Sequence, residues 1–386
     1  MAAQQDYEYI DNNAGLVRFC AGIGEATYCV IDTEFIREST YYPELALIQI
    51  ASGDQLACVD PLAITEFEPL AALLVKPDLL KVFHSPSQDL EILYQKFAAV
   101  PAPVFDTQIA AAVLGYNHQI SYADLVQQIT GVTLDKKHTR ANWLRRPLSL
   151  DELNYAMDDV RHLIAVYEAL KQKLDSTRRS SWIEKDLVAM SEPENYQVDK
   201  SQLWRRLKGV LKLKDEKLQI ASDLCRWREE LAQQQNRPRR WIAKDDALVE
   251  IARQKPEDFE DLARIPELSE KTARRHGEEL LKIVAHAKTV DSAQWPQHDK
   301  LRNLNKQQLA LGDSLMALCR KIADQNQIAL ATLATRKDID SLIVNRKSSR
   351  LTQGWRFSMA GEQLLEFIHD QSAISVDNED HKLDPK

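Results

Sequence analysis

YCVIDTEF, Tyr28 to Phe35, is an apolar, β-branched run that ends in two carboxylates one residue apart. Read as a strand, its side chains alternate, so Asp32 and Glu34 emerge on one face of a sheet with Val30 behind them. Two acids held side by side repel unless a cation sits between them, either a hard divalent ion with oxygen ligands or an Arg or Lys partner. An isolated pair of this kind also fits a strand end with two solvated acids. Its meaning depends on what the rest of the chain supplies.

Downstream, LALIQIA (Leu45 to Ala51) and LACVD (Leu56 to Asp60) flank Ser52-Gly53-Asp54-Gln55 and read as a hairpin, so three strands form a meander. The pattern then changes to helix at Phe67 to Val75, strand at Lys81 to His84, helix at Leu90 to Phe97, strand at Val104 to Asp106 and helix at Thr107 to Gly115. A meander followed by this alternation predicts an α/β unit, a mixed sheet with helices on its faces. Leu150 to Leu174 carries a helical apolar pattern, and the polar SEPENYQVDKS (Ser191 to Ser201) marks a boundary. Beyond it lie two helical sets. The expected division is residues 1–195 α/β, 203–290 all-α, 300–372 all-α, and 373–386 a disordered, charged tail.

A chain of 386 residues has room for two or three domains, and 44% hydrophobic with 28% charged residues is an ordinary globular composition. No apolar run approaches the ~18 residues of a membrane span, and MAAQQDYEYIDNN lacks the features of a signal peptide. Five scattered cysteines, never spaced CxxC, point to a reducing cytoplasmic setting and away from zinc or a disulfide framework. Residues 1–199 hold 16 Lys and Arg against 29 Asp and Glu, whereas residues 200–290 hold 21 against 16. The acidic half would repel phosphates unless bound metal reversed its local sign. The basic middle suits a polyanion or simply a solvated face.

Two more acids stand in suggestive settings. In VFHSPSQDLEIL an apolar strand ends at His84, and Ser85-Pro86-Ser87 supplies capping chemistry for a helix with Asp89 in its first turn. Alone, Asp89 also fits dipole compensation at a helix start. In LNYAMDDVRHL, Tyr155 and Asp159 share a helix face at i and i+4, with Asp158 about 100° around.

At this point the residues carry a resemblance. DTEF, HSPSQD and YAMDD resemble the three exonuclease motifs of the DEDD superfamily in its tyrosine-bearing branch. With TYYPELALIQIA, VDPLAI, FDTQIAA and GVTLDKKHTRANWLRRPLS, residues 25 to 175 resemble the ribonuclease D family. The stretch from Leu218 to Ile265 resembles the HRDC-type module that ribonuclease D shares with RecQ-type helicases, and GWRFSMAGEQLLEF resembles a divergent second copy. The resemblance implies a ribonuclease-H-like fold, two divalent metal ions (Mg or Mn), and hydrolysis of RNA from its 3′ end to nucleoside 5′-monophosphates. By position Asp32, Glu34, Asp89 and Asp159 match the metal ligands, and Tyr155 the residue that orients the attacking water. Gln88 departs from the Glu of many relatives.

Further residues are candidates for substrate contact. Phe35 follows the acids directly and is placed to stack on a terminal base, or to pack in the core. His84 is placed to reach the terminal ribose or phosphate, or to be a satisfied buried histidine. Lys136, Arg140, Trp143 and Arg146, in a basic loop, suit the substrate backbone. Asp106 reads as a brace. WRRLKGVLKLK (Trp204 to Lys214) and NRPRRW (Asn236 to Trp241) join cations to aromatics, and Arg274 and Arg275 sit in a helix-turn-helix-like segment.

The expected partner is RNA with a single-stranded 3′ end, tRNA precursors among them, with no membrane and no nucleotide cofactor; a monomer fits, and the sequence leaves oligomeric state open. A DNA exonuclease with the same acids and a non-catalytic RNA-binding protein are the rivals. A helicase is disfavoured because no Gly-rich loop ending in GKS or GKT is present.

Overall fold

The structure, a computed structural model, describes residues 6–135, 141–298, 304–344 and 349–377. The chain opens with β1 (Glu8–Ile10) and α1 (Asn13–Ile23), two elements absent from the sequence reading. Asn12 caps α1, its side-chain oxygen accepting the Gly15 amide at 2.9 Å. The expected meander follows as β2 (Tyr28–Ile36), β3 (Glu44–Ser52) and β4 (Gln55–Val59), antiparallel at both junctions. Next come α2 (Glu68–Leu74), β5 (Leu80–Phe83), α3 (Ser87–Phe97), β6 (Val104–Asp106) and α4 (Thr107–Val113), in the expected alternation. Then α5 (Tyr122–Thr130), α6 (Leu150–Thr177) and α7 (Ser180–Met190) complete the first unit.

The strands form one mixed sheet in the order β1-β4-β3-β2-β5-β6, with β1 parallel to β4 and β5 parallel to both β2 and β6. Val30, Val82 and Phe105 face Met157, Val160 and Leu163 of α6. On the other side Ile31, Ile48 and Phe83 meet Leu16, Leu70 and Leu90 of α1, α2 and α3. Strand alternation thus loads both faces of the sheet with apolar side chains, as burial between two helical layers demands.

Beyond residue 200 the described chain is helical. α8 (Asp215–Gln234), α9 (Arg239–Ile242), α10 (Asp245–Gln254), α11 (Phe259–Ala263) and α12 (Glu270–Ala287) surround a second core that includes Trp204, Leu248 and Leu280. Pro238, Pro256 and Pro266 fall in the breaks between these helices. α13 (Lys306–Gln325), α14 (Leu330–Leu333), α15 (Arg336–Val344) and α16 (Gly354–Arg356) lead through a π-helical turn, Phe357–Gly361, into α17 (Glu362–Asp377) around a third core. The tail expected from residue 373 is helix as far as Asp377. Ala373 to Val376 contains no helix breaker, and the charged run begins only at Asp377. Residues 378–386 lie outside the described residues.

Both helical units dock on the α/β unit. Tyr41, in the loop after β2, is buried in the second core. Its hydroxyl donates to Glu229 and accepts from Gln233 and Arg239, both at 3.0 Å. Asn236 Oδ1 accepts the amides of Tyr41 and Tyr42 at 3.1 and 3.0 Å. For the third unit, Trp182 of α7 stacks on Trp355 at 4.6 Å and 7°. Arg179 donates to the carbonyls of Val113 and Asn326 at 2.7 and 2.8 Å, bridging the two units. At Gly115, φ is +96°, and a Cβ there would lie 2.5 Å from the Gln327 carbonyl oxygen. Gly115→Ala should therefore weaken this docking by about 1–3 kcal/mol. Thermal unfolding followed by tryptophan fluorescence checks it, and an unchanged melting temperature would refute the close approach.

Candidate active site

The acids gather where the sheet is incomplete. β2 pairs with β5 only as far as Val30 opposite Val82, while its pairing with β3 continues to Ile36. Asp32 and Glu34 therefore lie past the C-terminal end of β5, in the kind of crevice where α/β proteins bind ligands. A bulge between Glu34 and Phe35 re-aims the strand at that point. Into the gap comes the first turn of α3, bringing Asp89. Thr33, between the two acids and on the opposite face of β2, donates its hydroxyl to Asp89 Oδ1. The expected capping by Ser85-Pro86-Ser87 is not what starts this helix. Pro86, whose side chain has no acceptor, occupies the cap position, while Ser85 turns left-handed (φ 55°) and gives its amide to Asp106 at 2.9 Å.

α6 supplies the fourth acid. A capping box starts it, with the Glu152 amide donating to Ser149 Oγ at 3.3 Å and the Ser149 amide to Glu152 Oε2 at 2.7 Å. Asp159 then faces the tips of β2, and single oxygens of Asp32, Glu34 and Asp159 lie within 4.8 Å of one another. Asp158 turns aside to pair with Arg161. Tyr155 is half-buried one turn before Asp159, its ring stacked on Trp143 at 6.1 Å and 30°.

The electrostatics are those of an uncompensated acid cluster. Burial, with repulsion from Asp159, Asp89 and Glu34, holds the Asp32 carboxyl well above its ordinary range. Burial together with Asp159 and Asp89 pushes Glu34 up to about 9. Burial, Asp158 and Asp89 push Asp159 up to about 7. Asp89 is raised by burial, against the opposing pull of the Thr33 hydroxyl. Among the described residues, no Arg or Lys figures in the groups acting on these four acids. Oxygen donors at this spacing are the chemistry of a hard divalent cation.

Several expected substrate contacts prove to be structural. Trp143 is 2% exposed, behind Tyr155 rather than open to a ligand. Arg146 gives two hydrogen bonds to Asp60, at 2.6 and 2.7 Å, and others to the carbonyls of Ala46, Trp143 and Arg145. Both belong to the brace that seats the loop before α6. His84 meets Thr107 Oγ1 at 3.0 Å and the Ile120 carbonyl at 3.2 Å, and burial lowers it to about 4, so neither ring nitrogen is left for substrate. Phe35 is half-buried against the α1 to α3 core. Lys136 and Arg140 lie outside the described residues. Asp106 braces as expected, taking the amides of Ser85 and Gln108. The sequence reading missed Thr33, although it stands inside the DTE motif, and Tyr122. The Tyr122 hydroxyl donates to the Asp158 carbonyl at 2.9 Å, and Asp159 and Asp32 add to burial in raising its pKa.

Comparison with known proteins follows the same outline. The 3′-5′ exonuclease family matches residues 7–175, and the HRDC domain family matches residues 217–284. Ribonuclease D of Bartonella henselae is 35% identical over 93% of this chain and 89% of its own length. Ribonuclease D of Sphingobium indicum is 35% identical over 97% of each chain. The crystal structure of Escherichia coli RNase D, an exoribonuclease involved in structured RNA processing, superposes with a TM-score of 0.86 at 29% identity. That match covers 95% of this chain and 99% of the other. With relatives this similar along nearly its whole length, the chain belongs to the ribonuclease D family.

Proposed function

We propose that this chain removes nucleotides one at a time from the 3′ end of RNA by metal-dependent hydrolysis. Asp32, Glu34, Asp89 and Asp159 are assigned to two divalent cations, Mg²⁺ or Mn²⁺, and Tyr155 to orientation of the attacking water. The observation that carries this reading is the convergence of four carboxylates from β2, α3 and α6, on which, among the described residues, no Arg or Lys acts. Cations bound there would supply the missing positive charge, polarise the phosphate and lower the pKa of a water.

The protein's own part is positional. Thr33 fixes the Asp89 carboxylate through its hydroxyl. Trp143 backs the Tyr155 ring, so the phenol is held on the Asp159 face of α6. There it can hydrogen-bond a water in line with the terminal phosphodiester. The water oxygen bonds to phosphorus, the P–O3′ bond breaks, and the departing oxygen takes up a proton. One nucleoside 5′-monophosphate and a new RNA 3′-hydroxyl result. The substrates are assigned as structured RNAs with single-stranded 3′ tails, tRNA precursors among them, acted on in the cytosol by a monomer. Residues 1–195 are assigned as the exonuclease domain, with HRDC-type domains over 203–290 and 300–372. The relation to E. coli RNase D, which takes part in structured RNA processing, supports the substrate class.

A 5′-labelled single-stranded RNA and its DNA counterpart, incubated in Mg²⁺, Mn²⁺ or EDTA, should show a metal-dependent ladder from the 3′ end on RNA. No shortening in either metal would overturn the reading. Asp159→Asn should lose turnover while keeping fold and RNA affinity, and Tyr155→Phe should lower turnover by roughly a hundredfold.

Metal removal should also show in stability. Unfolded carboxyls release their protons near pH 4, whereas folded Glu34 and Asp159 hold theirs to about 9 and about 7. A folded pKa raised in this way contributes stability that is complete at low pH and lost as pH rises through the folded value. In EDTA the melting temperature should fall from about pH 4 towards pH 9, and Mg²⁺ should restore it most at the alkaline end. A flat profile in EDTA would contradict the repulsive cluster.

A further inference from the structure

Strand β3 runs beside the acid-bearing strand, and its register sets Gln49 directly opposite Asp32, with Leu47 opposite Glu34 and Ala51 opposite Val30. Residues paired in this way across an antiparallel ladder send their side chains to the same face, with Cβ atoms about 5 Å apart. Leu47, Ala51 and Val30 belong to the core under α6, so by alternation Gln49 and Asp32 lie on that face. On its other side Gln49 pairs with Cys58 of β4, which belongs to the same core.

An amide is out of place in this setting. Gln49 is 0% exposed, and neither Nε2 nor Oε1 has a hydrogen-bond partner among the described residues. Its neighbours on the same face of the strand, Leu47 and Ala51, are aliphatic, and the Cys58 thiol across from it is a weak partner at best. A buried donor and acceptor left unpaired cost free energy that an apolar side chain of the same shape does not incur. The polar group directly opposite is the Asp32 carboxyl, assigned above to a divalent cation. In this structure the amide does not bond to it, but a change of rotamer spans the cross-strand distance.

Carboxylates that ligate metals are themselves held by hydrogen bonds from the residues around them, which fix their angle and tune affinity. Thr33 supplies such a bond to Asp89. We propose that Gln49 is the matching positioning residue for Asp32: with a divalent cation held at the acids, the Gln49 amide donates through Nε2 to the Asp32 carboxylate and fixes its orientation. The inference rests on the metal-dependent reading of the site. Gln49 touches neither substrate nor reacting atoms and acts through Asp32 alone. The penalty of its unpaired donor is thereby tied to loading of the site, present without metal and lifted with it.

The test compares the full-length protein with Gln49→Met, close in shape and without an amide, and with Gln49→Leu, so that a packing fault peculiar to one side chain is not read as the effect. In EDTA both variants should melt at or above the temperature of the parent, since each removes a buried unpaired amide. Mn²⁺ binding in the absence of RNA, read by isothermal titration calorimetry, should weaken by about ten- to a hundredfold. In the ladder assay the Mg²⁺ concentration for half-maximal turnover should rise by a similar factor, with turnover at saturating Mg²⁺ much closer to that of the parent. Unchanged Mn²⁺ affinity in both variants would overturn the proposal. So would a melting temperature below the parent's in EDTA for both, which would make Gln49 a structural residue whose amide is already satisfied. A parent protein that binds no Mn²⁺ would instead sink the metal-dependent reading itself, and this inference with it.

Discussion

Four carboxylates crowded into one half-buried pocket, with no Arg or Lys among the described residues acting on them, set the terms for the rest of this molecule. Mutual repulsion at such distances costs free energy in the metal-free protein, and it is offset elsewhere. The offset is visible in what surrounds the pocket. Cys29, Val30 and Ile31 of β2 are buried, a capping box fixes the start of α6, and the Arg146–Asp60 pair seats the loop before it. The site is therefore a place where local stability is given up to a rigid surround, which is the usual relation of a metal pocket to its scaffold.

The acids were legible because their placement is local. Strand alternation puts Asp32 and Glu34 on one face, and helix spacing puts Tyr155 and Asp159 on another. Two residues of the basic loop, Trp143 and Arg146, were misread for the opposite reason. RANWLRRP has the composition of a phosphate-binding segment, but composition carries no burial, and only the fold reveals that Trp143 backs Tyr155 while Arg146 is spent on Asp60 and three carbonyls. His84 is similar. Its position at a strand tip beside a serine suggested a ligand contact, whereas the partners that satisfy it, Thr107 and Ile120, come from segments far along the chain.

The missed elements follow the same logic. β1 is three residues long and pairs with β4, so its identity depends on a partner some fifty positions away. Thr33 was hidden by the alternation rule itself, which sends it to the face opposite Asp32 and Glu34. It reaches the site because α3, packed on that opposite face, brings Asp89 to it. Neither contact leaves a mark within its own stretch of sequence.

The loop that follows the acid-bearing strand ties the α/β unit to the first HRDC unit. Arg37 makes a bidentate pair with Glu91, at 2.7 and 3.2 Å, two residues beyond Asp89 on α3. Four residues on, Tyr41 is buried in the first HRDC core, its hydroxyl shared among Glu229, Gln233 and Arg239 and its amide held by Asn236. The end of β2, the start of α3 and the C-terminal half of α8 are thereby joined through one short segment. Arg239, the residue that completes the tie, belongs to the same NRPRRW run as Asn236 and Trp241. A sequence reading takes that run as a separate basic face. In the folded chain it divides its work: Asn236 and Arg239 turn inward to fix the loop after β2, and Arg240 and Trp241 stay exposed on the surface. The first HRDC unit is in this sense part of the scaffold of the acid site, because Asn236 and Arg239 hold the loop into which the acid-bearing strand runs.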